Sequence, residues 1–209
     1  MTAANAREKL IRSTQALMLL RGYSATGVDD ICRDAGVSKG SFYHQFASKE
    51  ALAIVALGDF YEAGLKHLLA IDLTNVAPER CLLAFLDAVA EQGHDFWKNG
   101  CLIGGLASEM ARASPALQAE VSRLFSETAK ALEPLIEPFV ASLQDKSLTT
   151  AALAEHFLVV VEGAIILSRA HNDPMKINQA VARFAEQLRW LPRRKTGAVQ
   201  LTEKRRQKR

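Results

Sequence analysis

The sequence has few of the features that hold a small secreted protein or a metal-bound domain together. It contains three cysteines in 209 residues, Cys32, Cys81 and Cys101, and their spacing matches neither a disulfide framework nor a zinc site. A chain of this length buries roughly 70 % of its unfolded surface, so it needs no such crosslinks to fold. The N-terminus also lacks the charged and then apolar segments of a signal peptide. We therefore expect a protein of the reducing cytoplasm.

Long hydrophobic runs and strand-like alternation are also missing. The longest apolar stretch, Phe157 to Leu167, contains Glu162 and is shorter than the ~20 residues that a membrane span requires. The glycines between Gly100 and Ala111 are too irregular for a phosphate-binding loop, and no Gly-Lys-Ser/Thr follows them. Alanine, leucine, glutamate, glutamine and arginine dominate instead. The sequence predicts an all-α protein with no membrane partner, no bound metal and no cofactor.

Positive charge is concentrated at the two ends of the chain. Residues 191–209 carry eight lysine or arginine residues and one glutamate, and residues 1–50 are also net basic, whereas residues 51–190 are net acidic. This asymmetry indicates that the ends meet an anion and the middle does not. The C-terminal segment shows no helical periodicity, so a solvated, disordered extension is the alternative interpretation of its charge.

Helical periodicity and capping signals predict about nine helices. Gly22 is expected as a left-handed C-cap, Thr26 as a capping residue paired with Asp29, and Ser38 and Ser48 as N-caps. Pro134 and Pro138 are expected to kink or interrupt their helix. The predicted helices are Ala4 to Arg21, Val28 to Ala35, Lys39 to about Phe46, a longer helix after Ser48, 79–98, 102–112, 115–143, 150–170, and Met175 to about Leu191.

The segment from Gly27 to Lys49 reads GVDDICRDAGVSKGSFYHQFASK and predicts a helix-turn-helix. Two helices this short cannot be stable alone, but a tight glycine-containing turn joins them. Phe42 and Phe46, four residues apart, share one face and should be core. The other faces then present residue types that suit a DNA surface. These are a cation, a residue without a side chain, a hydroxyl and two polar rings, at Lys39, Gly40, Ser41, Tyr43 and His44.

The segment AGVSKGSFYHQFASKEAL resembles the recognition-helix signature of tetracycline-repressor (TetR) family regulators, and GYSATGVDDIC resembles the family's preceding turn and helix. The resemblance covers about Leu10 to Leu57. Gln45 stands where an aromatic residue is common, and Ala47 where proline is common. The resemblance implies a DNA-binding set: Thr26 and Lys49 on the DNA backbone, Lys39, Gly40 and Ser41 nearest the base edges, and Tyr43 and His44 on phosphates. Ser38, the N-cap of the recognition helix, belongs to the same set.

The resemblance also implies the domain organisation. We expect a helix-turn-helix domain over 1–48, a helical ligand-binding and dimerisation domain over 49–191, and a basic, disordered tail over 192–209. TetR-type repressors pair through their last two long helices, and two apolar stripes with a/d-like spacing fit such a seam. The expected dimer residues are Leu153, Phe157, Val160 and Ala164, followed by Ile177, Val181, Phe184 and Leu188.

A ligand pocket needs an apolar wall with a few polar groups, and six residues of the expected ligand-binding domain are candidates. GCLIGGLASEMA resembles a region that, in some family members, senses reactive small molecules. Cys101, near a helix N-terminus, is therefore a candidate sensing thiol, with buried packing as the alternative. The candidate ligand residues are His67, His94, Trp97, Cys101, Glu109 and Glu162.

The expected function is a dimeric repressor that binds a palindromic operator in double-stranded DNA and is released by a small organic effector. An enzyme with Cys101 as nucleophile and His94 or His67 as base is one alternative, although no third residue is identified to orient the base. A nonspecific nucleic-acid or anionic-membrane binder that acts through the basic tail is another.

Overall fold

The computed structural model describes residues 3–110 and 114–194 and folds them entirely as helices joined by short connections. The predicted tail therefore lies, from residue 195 onward, outside the described residues. An isolated bridge between Leu143 and Arg193 is the only β pairing in the described part of the chain. The helices are α1 (Ala3–Arg21), α2 (Val28–Ala35), α3 (Lys39–Gln45), α4 (Lys49–Leu69), α5 (Pro78–Phe96), α6 (Leu102–Met110), α7 (Pro115–Ser142), α8 (Thr150–His171) and α9 (Met175–Arg189).

The helix ends follow local signals, with two corrections. Gly22 has a φ of 85° and ends α1, and the hydroxyls of Ser38 and Ser48 cap α3 and α4. The cap of α2 is one residue later than predicted: the Gly27 N–H donates to the Asp30 carboxylate at 3.2 Å. α7 also continues through Pro134 and Pro138 without interruption.

Three apolar clusters hold the helices together. One cluster joins α1–α3 to the first turns of α4, where Leu52 and Ala56 are buried, and we call this N-terminal unit the head. A second cluster joins α5, α7, α8 and α9, and we call the unit formed by α5–α9 and the rest of α4 the body. The third contains Met18 of α1 and packs α4 and α6 against α7, so it links head and body. Because Leu52 and Ala56 belong to the head's core, the expected boundary at residue 48 cuts through that core.

The structure buries most of the predicted dimer residues within one chain, which gives the two stripes an intrachain packing role. Of the eight residues, only Val160 retains partial exposure. The stripes pack into the body core, since α9 lies along α5 and α8 lies against α7 and α9. The buried residues are Leu153, Phe157, Ala164, Ile177, Val181, Phe184 and Leu188.

The outer face of α8 carries exposed apolar side chains instead, and Trp190, the residue after α9, is also exposed. Val159 is 67 % exposed, Ile166 61 % and Trp190 82 %. Gly163 lies between Val159 and Ile166 and has open space where a side chain would be. This face is apolar without a partner in the described chain.

One described helix, α8, is long and apolar enough to cross a membrane by length and composition. The apolar run read from the sequence ends at Leu167, whereas the helix spans 22 residues. A core helix meets the same criterion, and α8 packs along α7 and α9.

We expect Phe184→Ala to lower the free energy of unfolding by about 3–5 kcal/mol, because it leaves a cavity in the body core. Phe184 contacts the rings of Phe157 and His156 in this core. Denaturant titration measures the change, with the exposed Leu69→Ala as control. Equal effects of the two substitutions would contradict the assignment of α9 to the intrachain core.

Candidate nucleic-acid interface and ligand cavity

The recognition helix α3 presents one face to solvent and buries the other. Phe42 is fully buried and Phe46 nearly so, because their four-residue spacing places both against the head's core. The other side of α3 and the preceding residue form an exposed set of short and polar side chains. Among the expected DNA-binding residues, this surface brings together Ser38, Lys39, Gly40, Ser41, Tyr43 and His44.

The cation of this surface is held by a neighbouring acid. The Lys39 ammonium lies 2.6 Å from the Asp29 carboxylate of α2, and both side chains are 61 % exposed. The hydrogen bond to Asp29 raises the pKa of Lys39. An exposed ion pair is weak in water, so a phosphate or a base edge can replace the Asp29 partner.

The structure gives Thr26 and Lys49 roles other than the expected contacts with the DNA backbone. Thr26 is fully buried, and its hydroxyl donates to the Gly22 carbonyl at 2.7 Å. The Lys49 ammonium donates to the carbonyls of Tyr23 and Thr26, each at 3.0 Å, and lies 3.9 Å from the centre of the Tyr23 ring. Burial lowers the pKa of Lys49. Both side chains therefore hold the turn between α1 and α2 and do not face outward.

Glu109, expected in the ligand pocket, lies instead at the junction between head and body. Its carboxylate on α6 accepts from the backbone N–H groups of Tyr23 at 2.8 Å and Ser24 at 2.6 Å. Burial raises the pKa of Glu109, but these hydrogen bonds and the nearby Lys49 outweigh it, and the net shift is downward. Glu109 therefore accepts hydrogen bonds from the N–H groups of the same turn whose carbonyls accept hydrogen bonds from Lys49.

A second contact connects the body to the end of α1. The guanidinium of Arg169, in the last turn of α8, donates to the Leu19 carbonyl at 2.8 Å. The same guanidinium lies against Gly100, whose φ of 90° favours glycine. Two body helices, α6 and α8, therefore position the head.

The body contains a cavity of about 320 Å³ between α4, the end of α5, α6, α7 and α8. Its walls are mostly apolar, as a pocket for an organic molecule requires. Six aromatic side chains line it: Phe60, Tyr61, Phe96, Trp97, Phe125 and Phe157.

Four of the six candidate ligand residues line this cavity, namely His67, Trp97, Cys101 and Glu162. His67 stacks on Phe96 with 4.7 Å between ring centres. His94 and Glu109 do not line it. The His94 ring instead hydrogen-bonds Asn178 at 3.1 Å, which fixes α5 to α9.

Cys101 and Glu162 form a polar pair in the apolar wall. Burial, followed by the nearby Glu162 carboxylate, raises the pKa of the Cys101 thiol well above its usual range. Burial also raises the pKa of Glu162, and hydrogen bonding to Cys101 only partly offsets this. A reactive sensing thiol needs a lowered pKa, so the environment favours the packing interpretation of Cys101.

Of the six aromatic side chains that line this cavity, the sequence predicted only Trp97 as a ligand residue. Adjacent aromatic pairs at 60–61 and 96–97 were the available signal, since each pair supplies two rings from one helix turn. Phe157 was assigned to the dimer seam because its spacing fits a stripe, yet it lines the cavity. Asp29, the partner of Lys39, was also missed, because it lies on another helix.

Comparison with known proteins agrees with this fold and surface. The profile described as "Bacterial regulatory proteins, tetR family" matches residues 10–56, and that described as "Transcriptional regulator LmrA/YxaF-like, C-terminal domain" matches residues 78–183. The chain is 30% identical to the HTH-type transcriptional repressor DhaR of Mycobacterium sp. (strain GP1), over 83% of this chain and 87% of that protein. It is 31% identical to the transcriptional regulator AcuR of Cereibacter sphaeroides, over 87% of this chain and 84% of that protein. A crystal structure of the regulatory protein TetR from Rhodobacter sphaeroides superposes with a TM-score of 0.73 at 27% identity, covering 87% and 97% of the two chains.

The molecule is therefore a helix-turn-helix transcriptional regulator, a class of DNA-binding protein and not of enzyme. Within that class the chain belongs to the TetR family. Its body is similar to the LmrA/YxaF-like C-terminal domain.

We expect Glu109→Ala to speed hydrogen exchange at the amides of Tyr23 and Ser24, because both lose their acceptor. Glu91→Ala, an exposed acid on α5, is the control. Since the folded pKa of Glu109 is lowered, its contribution is present above the ordinary glutamate pKa of about 4.3 and is lost as the pH falls through the folded value. Unchanged exchange at both amides in Glu109→Ala would contradict the junction contact.

Proposed function

We propose that the protein is a homodimeric repressor that binds a two-fold symmetric operator and is released by a small organic effector. The observation that carries the DNA-binding part is the exposed face of α3, with Phe42 and Phe46 anchoring the opposite face in the core. Gly40 has no side chain and Ser41 has a small one, so this face can approach a major groove closely. The longer side chains of Lys39 and Tyr43 can reach further into the groove. In this proposal it acts in the cytoplasm.

The outer face of α8 and α9 is the proposed dimer surface. Val159, Gly163 and Ile166 form an exposed strip on α8, and Trp190, which follows α9, is the largest exposed apolar side chain near the end of the two helices. Two copies would pair these faces around a two-fold axis, so two heads would enter successive major grooves about 34–36 Å apart. The proposed dimer still pairs through α8 and α9, as the resemblance implies, but with different residues at the seam.

Helix α6 couples the cavity to the head in this proposal. Its first turn borders the cavity at Ile103, and its last turn holds the α1–α2 turn through Glu109. Gly104 lies against the Glu162 carboxyl, where any side chain would overlap it. An effector that moves Glu162 would therefore shift α6 and, through Glu109, the head. Ligand and DNA then favour different states, which is the requirement for release.

We expect Lys39→Ala to weaken binding to the preferred duplex by about 1–3 kcal/mol and to relax preference at one position in each half-site. The duplex is first selected from a randomised library with the full chain. Asp29→Asn should tighten binding, because it frees Lys39 and removes a negative charge from the surface. Fluorescence anisotropy at several salt concentrations measures both effects.

The control for this titration is Arg33→Ala, which removes an exposed cation of α2 that is paired with Asp30. It should change binding less than Lys39→Ala. Equal losses for Lys39→Ala on preferred and scrambled duplexes would make Lys39 a phosphate contact. No selected duplex, or no loss for Lys39→Ala and Tyr43→Phe together, would refute the proposed interface.

We expect Ile166→Asp to convert the dimer to monomer, because pairing would bury an unpaired carboxylate against the partner's apolar face. Leu69→Asp places the same charge on an exposed apolar site of α4 and should leave the dimer intact. Sedimentation velocity distinguishes the two species. A stable dimer for both Ile166→Asp and Val159→Asp would place the interface elsewhere.

A further inference from the structure

We infer that the cavity of the body selects a lipophilic organic cation, with the positive group beside Glu162 and the apolar part among the aromatic side chains. This inference rests on the proposed function, because it names the chemical class of the effector. It depends on three properties of the cavity: the sign of its charge, the nature of its walls and the freedom of its carboxyl.

The first property is the charge that the walls carry. Glu162 is the one acid among the described residues that line the cavity, and that lining contains no lysine or arginine. A carboxylate ligand would therefore place a second negative charge in an apolar space without a permanent cation to pair with it, which is strongly unfavourable. The cavity accordingly disfavours organic anions.

The second property is the distribution of aromatic rings. Phe60 and Tyr61 come from α4, Phe96 and Trp97 from the end of α5, Phe125 from α7 and Phe157 from α8. Ring faces attract cations, most strongly when water is excluded. A neutral hydrocarbon would use only the apolar area of these walls, whereas a lipophilic cation would use both the area and the ring charge distribution.

The third property is that the Glu162 carboxyl has no fixed cationic partner in the described chain. Its polar neighbour is the Cys101 thiol, a weak donor. The carboxyl also lies against Gly104, which has no side chain and therefore no charge to offer it. Burial raises the pKa of Glu162, so an arriving cation would restore the favourable environment that the ionised carboxylate lacks.

The other titratable groups on the walls determine how binding depends on pH. Tyr61 and His67 belong to α4 and Cys101 precedes α6, while α7 contributes Phe125 and Thr128, which do not titrate. A cation needs the ionised form of Glu162, so its affinity should fall as the pH falls through the raised pKa of that carboxyl.

The test compares two molecules of nearly the same shape, phenyltrimethylammonium and tert-butylbenzene, by isothermal titration calorimetry on the full chain. We expect the cation to bind at least about tenfold more tightly at pH 8, and its affinity to fall toward pH 5. Glu162→Gln should lower the affinity for the cation by about tenfold or more and leave that for tert-butylbenzene nearly unchanged. Glu62→Gln, which neutralises an exposed acid on α4 outside the cavity, is the matched control.

Circular dichroism would detect misfolding of Glu162→Gln. A second variant keeps the inference testable in that case. Phe125→Leu keeps an apolar wall and the carboxyl but removes one ring, so it should weaken the cation more than tert-butylbenzene. Equal affinities of the two molecules for the unmodified chain would overturn the inference, as would a cation affinity that neither variant changes.

Release of the selected duplex by phenyltrimethylammonium separates this inference from the proposed function. A chain that binds the cation as described but selects no duplex would refute the proposed function and leave the ligand class standing. A chain that binds its duplex but prefers tert-butylbenzene would refute the ligand class alone.

Discussion

The position of the head depends on one turn of backbone that is held from both sides by opposite charges. Between α1 and α2, the Glu109 carboxylate accepts the N–H groups of Tyr23 and Ser24, while the Lys49 ammonium donates to the carbonyls of Tyr23 and Thr26. Gly22 is needed there, because its φ is 85° and a side-chain carbon would come within 2.7 Å of Glu109. Each charge satisfies backbone groups that the turn cannot pair internally. The turn thereby joins α6 of the body to α4, the helix that follows the recognition helix.

A glycine also lies against a glutamate at the cavity, as Gly22 does against Glu109 at the turn, but the electrostatic environment there is different. Gly104 leaves space for the Glu162 carboxyl against α6, and burial keeps that carboxyl in an environment that disfavours its charge. A buried acid without a strong partner is costly to stability, and such groups are concentrated at functional sites. Glu109 lies in the last turn of α6, and Glu162 of α8 lies against the first turn of α6. The pKa of Glu109 is lowered, whereas that of Glu162 is raised. Hydrogen-bond donors stabilise the charged form of Glu109, whereas the charged form of Glu162 would be stabilised by the cation that we propose for the cavity.

The head could be predicted from sequence because its signals are local, and the junction could not because its contacts are distant. Ser38, Ser48 and the Phe42–Phe46 spacing each act within four residues, and the structure agrees with all of them. Glu109 lies 85 residues from Ser24, and its sequence surroundings resemble those of any helix-end acid. The packing partner of the a/d stripes of α8 and α9 could not be predicted from sequence for a further reason. An apolar stripe has the same period whether it packs against another helix of its own chain or against a second copy.

Helix α8 explains how one element can serve two partners. Phe157, Val161 and Glu162 line the cavity, while Val159 and Ile166 lie on the outer face that we assign to dimer contact. Arg169, in the last turn of α8, also holds the end of α1 through the Leu19 carbonyl. In the proposed dimer, a displacement of α8 at Glu162 would therefore act on the head directly through Arg169 and on the partner chain through Ile166. Because both contacts together would set the spacing of the two heads in that dimer, a small change at the cavity would alter the spacing without unfolding either domain.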